Sequence, residues 1–563
     1  MRYLFLYTLV FFLLTGLAGA QPAADLIFHK GYIYTADSAG SVHSAVAVKD
    51  GKILITGSDE VVLQYKGEST QIISLEGKLL LPGFIDSHAH SISAFKHFFE
   101  LNLYGLKSVK EIQDALKEYY YRHPGAAYIK GRGWSNTMFP KTGPAHTYLD
   151  EIISHIPVVL ASEDGHSRWV NKKALELAGI TNLTPAPAGG IIELDPESGE
   201  PTGTLRESAA GLVSGIIPPP SFELMYDGLI KFQKMAAEFG ITGVHEASID
   251  AGSIEPEVYR KLEADGKLNM RVTAALYIEP DSGRQWIEHL TAERSRDRGE
   301  LFSARYAKIF ADGVVEGSTA FLHEAYNHLP ANRGELLCNL DSLKNLCAGL
   351  EEAGFGIHVH AIGDAAITAA LDAFAYARKI SGNTDTRNLI THLQLVRASD
   401  IPRFKELNVT AAVQPFWFIK DEYYHDIQVP YLGKERADRE YPLKSFFDNG
   451  VNVASSSDYP VTIPPNPLVA IQTGITRKEP GSDASMTPLW PEESATIEQM
   501  IRSYTINAAY ASGWEKIAGS IEPGKSADLI ILDKNLFTIP ADEITYAKMV
   551  MTMFRGKIIY SNQ

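Results

Sequence analysis

Two histidines one residue apart, His88 and His90, close the stretch GFIDSHAH directly after an apolar run. In an extended strand alternate side chains leave the same face. Both imidazoles then point one way with Cα atoms ~6.5–7 Å apart, close enough to chelate one cation through two nitrogens. Taken alone, the pair is better read as a polar strand end satisfied by water or backbone. Further donors recur at the ends of similar runs: His360 in HVHAIGD, His392 in THLQL and Asp458 in SSSDYP. Imidazoles and a carboxylate gathered from separate strands suit Zn²⁺ or a similar divalent ion. His358 shares a strand face with His360 and competes with it as a ligand. His360 is preferred because it lies nearer the strand end, where Gly363 and Asp364 begin the next helix. Asp364 reads as that helix's N-cap, with Ile367, Leu371 and Phe374 following at helical spacing.

The elements that must position these donors are legible as a repeated alternation. Eight apolar, β-prone runs, LLLPGFIDSHAH, GITGVHEAS, RVTAALYI, ARYAKIFADG, FGIHVHAIGD, NLITHLQLV, NVTAAVQP and NVASSSDYP, are each followed by a longer helical-looking stretch. Near-continuous hydrophobic strands alternating with helices predict an α/β fold with a parallel sheet, and eight of them predict a closed (β/α)8 TIM-type barrel. In such a barrel the C-terminal strand ends converge on one mouth. No Gly-rich dinucleotide fingerprint follows the first strand, which disfavours an open doubly wound sheet. Short strands broken by Gly and Asp turns fill residues 25–82, and a similar composition returns at 519–533 and 548–561. The expected organisation is one β domain built from both chain ends (21–82 and 510–563) around a barrel over 83–509. Residues of about 100–235, containing GRGWS and SEDGHSRWVN, form an insertion after barrel strand 1, lying over the mouth.

The first twenty residues, MRYLFLYTLVFFLLTGLAGA, join Arg2 to an apolar run ending Ala18-Gly19-Ala20, the pattern of a cleaved secretory signal. The expected location is periplasmic or secreted, and no second apolar stretch long enough to cross a bilayer follows. Cys338 and Cys347, the only cysteines, read as buried thiols rather than a disulfide framework. The net charge of −16, one unit more negative without Arg2, argues against nucleic acid as a partner. The expected partner is a small-molecule substrate; a homo-oligomer is compatible with the chain.

Together, GFIDSHAH, GRGW, DGHSRWVN, PTGTLRE, KIFADG, HAIGD, THLQL, QPFW, SSSDYPV and GSIEPGKSADLIILD give a chain that resembles the amidohydrolase superfamily across its mature length. Within it the resemblance is to the amidohydrolase-3 group of YtcJ-like and N-substituted formamide deformylase-like proteins. It implies a metal-bearing barrel joined to a β-sandwich made from both chain ends. It also implies one or two divalent ions, most simply Zn²⁺, held by His88, His90, Lys308, His360, His392 and Asp458. Lys308 sits where relatives place a lysine that CO₂ can carboxylate to bridge two metals. An ammonium cannot ligate a cation, so Lys308 must first lose its proton, which desolvation favours. A Lys308 paired with a carboxylate such as Asp312 is the plainer reading, and Glu207 or Glu246 is then the fallback metal carboxylate. Asp458 doubles as the proton carrier of the reaction. Trp134, His166, Trp169, Phe416 and Trp417 are the candidate pocket for an apolar substituent, although large aromatics also serve packing. Relatives often carry an arginine near the stretch where this chain has Ser318. The implied reaction is metal-dependent hydrolysis of a non-peptide carbon–nitrogen bond in an amide, N-acyl or N-formyl amine. Hydrolysis of an ester or lactone, or metal and ligand binding without turnover, are the alternatives.

Overall fold

The computed structural model describes residues 22–562 apart from Lys141, Asp164, His166, Ala188, Gly189 and Ala484, so the signal segment lies outside the described residues. Eight parallel strands form one sheet in sequence order: β1 (Phe84–Ala89), β2 (Ile241–Ile249), β3 (Arg271–Tyr277), β4 (Phe302–Phe310), β5 (Gly356–Ala361), β6 (Leu389–His392), β7 (Thr410–Val413) and β8 (Val453–Ser455). β1, β5, β6, β7 and β8 are buried along their whole length. This explains why apolar residues predominate along them, because helices cover the outside while packed side chains fill the inside. The ring closes between β1 and the turn after β8. There Asp458 N–H donates to His88 O at 2.8 Å and His90 N–H donates to Tyr459 O at 2.6 Å. The chain is therefore an α/β protein with a (β/α)8 TIM-type barrel.

Helices follow the strands. Phe222–Glu238 is capped by the Ser221 hydroxyl, which accepts from Leu224 N–H, and it leads into β2. Asp364–Ser381 buries Ile367, Leu371 and Phe374 with a row of alanines and ends at Gly382, whose φ of 67° is the left-handed turn that glycine adopts without penalty. Its N-cap is Gly363. Asp364 is the first helical residue, and its Oδ1 accepts His323 N–H at 2.9 Å, so the carboxylate anchors a neighbouring loop rather than capping its own helix.

Both chain ends share one β region. Leu79–Pro82 pairs antiparallel with Leu529–Leu532, and Met549–Phe554 and Lys557–Ser561 extend the same six-stranded sheet. A second, four-stranded sheet holds Leu26–His29, Ala45–Lys49, Lys52–Gly57 and Gln71–Ser74. The two enclose a core that includes Phe28, Val46, Leu80, Ile531 and Met553. The run LLLPGFIDSHAH is thus two strands: Leu79–Pro82 belongs to the end sheet, and Gly83 separates it from β1. A side chain at Gly83 would strike Thr242, a close approach only glycine allows. Between β1 and β2 a further six-stranded sheet runs from Leu101–Asn102 to Pro201–Arg206. Among the described residues no helix is long and apolar enough to cross a membrane. Cys338 and Cys347 are free thiols.

Candidate metal centre

The barrel mouth brings the β1 pair and the turn after β8 together. His88 Nε2 lies 3.2 Å and His90 Nε2 3.4 Å from the same oxygen, Asp458 Oδ1. These three atoms form one cluster of donors, and Asp458 Oδ1 has no hydrogen-bond partner despite being buried. A buried, unpartnered carboxylate oxygen is costly unless something positively charged faces it. Two nitrogen donors and a carboxylate converging without satisfying one another are the donor chemistry of a divalent cation, so the residues present fit a metal ion.

Local structure explains how each donor is held. Asp458 has φ 56°, a left-handed conformation uncommon outside glycine, and it is locked by its N–H bond to His88 O. Asp86, two residues before His88 and on the same strand face, accepts from Ser457 Oγ (2.5 Å), Ser457 N–H (3.1 Å) and His88 N–H (3.2 Å). It ties β1 to the residue preceding Asp458. Its carboxyl is pushed up to about 7 by burial, against the pull of those hydrogen bonds. Sequence reading gave Asp86 no role, although its place in Asp-x-His-x-His carried the signal: period two puts 86, 88 and 90 on one face.

The β5 and β6 histidines stand across the mouth. His360 packs against His392 with ring centroids 4.5 Å apart, and its Nε2 lies 3.2 Å from Gly313 O. His392, at φ 79°, places Nδ1 3.1 Å from Gln414 Oε1. Gln414 spends its amide hydrogens on Thr391 Oγ1 and Ser456 Oγ, so its oxygen is left to accept from His392 Nδ1–H. That orientation frees His392 Nε2 as a lone-pair donor. The His392 ring also lies 5.1 Å from that of His88.

Electrostatics follow from burial. Desolvation lowers His88 to about 3 and His360 to about 4, with the nearby Lys308 adding to both, and it drives His392 well below the usual range. Burial pushes Asp458 up, but His88 and its neighbours outweigh it and hold the group well below the ordinary carboxylate range. His88, His360 and His392 are therefore neutral about one ionised carboxylate. Lys308 is fully buried, its Nζ 4.7 Å over the Phe310 ring, and desolvation brings its ammonium down to about 7. Lys308 forms no ion pair with Asp312, whose oxygens instead accept the N–H groups of Phe321, Ile362 and Gly363.

The remaining candidates are distributed elsewhere. His358 turns away from the mouth, with Nε2 2.7 Å from His88 Nδ1. Glu246 Oε2 accepts Ser91 Oγ–H (2.6 Å) and Ile92 N–H (2.9 Å) and also meets Tyr259 Oη, which fixes the turn after His90. Glu207 lies exposed at the end of the insertion sheet. Trp134 and Trp169 are fully buried and meet edge to face at 6.1 Å. Their N–H groups donate to Leu160 O and Ala145 O, so the structure gives both to the insertion core instead of the mouth. His166 lies outside the described residues. Phe416 and Trp417 are half-buried beside the mouth, and Trp417 stacks on His392 with planes 16° apart.

Comparison with known proteins gives the family. The model of the amidohydrolase family matches residues 71–560. The YtcJ protein of Bacillus subtilis (strain 168) is 31% identical over 541 residues, covering 95% of this chain and 99% of its own. The N-substituted formamide deformylase of Arthrobacter pascens is 27% identical, with 95% and 98% covered. The crystal structure of an uncharacterized metal-dependent hydrolase from Pyrococcus horikoshii OT3 superimposes with a TM-score of 0.75 at 25% identity, over 92% of this chain and 99% of that one. The chain belongs to the amidohydrolase family.

Proposed function

We propose that this chain is a metal-dependent hydrolase of a non-peptide carbon–nitrogen bond, in an amide, N-acyl or N-formyl amine. The observation that carries the reading is Asp458 Oδ1, buried and unpartnered between two imidazole nitrogens. Likeness to an N-substituted formamide deformylase and to a metal-dependent hydrolase supports the same chemistry. His88, His90 and Asp458 would hold the ion, with His360, His392 and Lys308 completing the set. When bound, a divalent ion polarises a carbonyl oxygen and acidifies water. Asp458, kept ionised, takes a proton from the attacking water on its carboxylate and returns it to the departing nitrogen. His392, oriented by Gln414, keeps its Nε2 face toward the mouth, and Trp417 with Phe416 offers an apolar wall for the nitrogen substituent.

Lys308 suits carboxylation because it is buried and desolvation brings its ammonium down to about 7, so that a free amine is within reach. Its free amine adds to the carbon of CO₂ and releases one proton, leaving an anionic carbamate. A carbamate carbon signal after growth in labelled bicarbonate, absent in Lys308→Ala, tests this. Export is likewise proposed from the first twenty residues, and a mature protein beginning at Met1 would refute it.

The test of the reaction is turnover of N-substituted formamides, simple amides and matched esters by zinc-loaded and chelated protein. Hydrolysis of the nitrogen substrates that disappears on chelation is the expected result. Cleavage of esters alone, or turnover indifferent to chelation, would overturn the reading.

A further inference from the structure

Beneath the mouth three imidazoles stand in file. His88 Nδ1 lies 2.7 Å from His358 Nε2, and His358 Nδ1 lies 3.2 Å from His245 Nε2. All three side chains are at most 1% exposed. His245 Nδ1 has no further hydrogen-bond partner among the described residues, so the file ends there.

Proton positions along this file are not independent. A neutral imidazole carries one proton on one of two nitrogens, and the other nitrogen accepts. His88 directs Nε2 at Asp458 Oδ1. To offer that nitrogen's lone pair to a cation, His88 must carry its proton on Nδ1. His358 Nε2 must then accept, which puts the His358 proton on Nδ1, and His245 Nε2 must accept in turn. Were an apolar side chain at 358, the His88 Nδ1–H would be buried without a partner, which disfavours the very tautomer the ion needs. His358 is itself poorly placed as a ligand, because both its nitrogens face other imidazoles.

We propose that His358, backed by His245, is a positioning residue: it accepts from His88 Nδ1 and so fixes the tautomer and ring plane in which His88 Nε2 is free to bind the ion. Metal-binding histidines are held this way by carboxylates, carbonyls or water; here a neutral imidazole takes that part. The inference rests on the metal reading of the site given above.

The test uses the full chain, stripped of metal and titrated with Zn²⁺ against a chromogenic chelator, with the visible spectrum of the Co²⁺-loaded protein as a second readout. His358→Phe keeps an aromatic ring without the acceptor and is expected to weaken Zn²⁺ binding about 10–100-fold and alter the Co²⁺ bands. His358→Gln, whose amide oxygen reaches the position of Nε2 and whose N–H can face His245, is expected to recover most of the affinity and the wild-type spectrum. His358→Asn, polar but too short to meet His88, is expected to behave like His358→Phe and serves if the latter does not fold. His358→Phe or His358→Asn binding as tightly as wild type would overturn the proposal, as would His358→Gln binding as weakly as either. A wild-type protein that binds no Zn²⁺ would overturn the metal reading and the proposal with it.

Discussion

The chain carries two His-x-His stretches of the same spacing, and the barrel uses them differently. Each supplies one deep and one shallow imidazole: His88 and His358 are almost wholly buried, while His90 and His360 lie nearer the opening. On β1 the deep ring faces Asp458, because β1 abuts the turn after β8, and so both of its histidines reach one carboxylate oxygen. On β5 the register sets His358 beside Lys308 and His360 beside Phe310. Among the described residues His358 pairs with no carboxylate, and its partners are imidazoles instead. Identical spacing thus gives two roles. The neighbour across the barrel decides which one a histidine takes, and spacing along the strand decides only which face it leaves.

The largest way to break that contrast is to remove the carboxylate that distinguishes the two pairs. Asp458→Asn keeps the shape but loses the charge and the proton-accepting oxygen. Turnover is expected to fall ~10³-fold or more while bound metal, measured by elemental analysis, is largely retained. Loss of turnover confined to a fewfold would mean that Asp458 does not carry the proton. Next in size is the latch that brings β1 to β8. Asp86→Ala strands the Ser457 N–H, the Ser457 hydroxyl and the His88 N–H in the interior, and about 3–5 kcal/mol of stability is expected to go with them. The urea midpoint of the metal-free protein, compared at constant slope, reads this directly. An unchanged midpoint would show that ring closure does not depend on Asp86.

How far this was legible in the sequence differs by level. All eight barrel runs were visible as largely apolar segments, because a strand covered on both sides buries most of its side chains away from water. The pairing of the two ends was visible in their shared strand-and-turn composition. Less legible was the break at Gly83, since both Leu79–Pro82 and the start of β1 are apolar and they are separated by the different sheets they pair with. The donors were readable wherever strand alternation set their direction, as at His88 and His90. Cross-barrel contacts were not readable: that His358 meets His88 depends on how strands 270 residues apart are staggered, and alternation is silent on stagger. Aromatic residues were hardest to place. Trp134, Trp169 and Trp417 look alike as residues, yet two fill a core and one stacks on a mouth histidine.

The buried file also gives a smaller test with a definite sign. His245 is held well below the usual histidine range by burial, so it stays neutral in the folded state while the unfolded chain takes up a proton near pH 6.5. Below that pH the unfolded state binds more protons, and acid therefore removes stability. His245→Gln deletes this one contribution. Relative to wild type, the metal-free variant is expected to gain up to ~1.4 kcal/mol for each pH unit below 6.5, and nothing above it. Denaturant midpoints of both proteins at pH 7, 6 and 5 measure the difference; parallel curves would show that His245 titrates normally.

The smallest expected effects separate the tryptophans. Trp169→Phe keeps an aromatic ring in the insertion core but loses the donor to Ala145 O, leaving that carbonyl short of a partner. Stability is expected to fall by about 1 kcal/mol with kcat/KM unchanged. Trp417→Phe retains a ring against His392 but gives up area at the mouth and a long, 3.3 Å bond to Thr462 Oγ1. Here the midpoint is expected to stay within ~0.5 kcal/mol while KM shifts for substrates with large nitrogen substituents and not for small ones. If instead Trp169→Phe moved KM and Trp417→Phe moved only the midpoint, the insertion core would have to reach the substrate and the wall beside His392 would be packing alone.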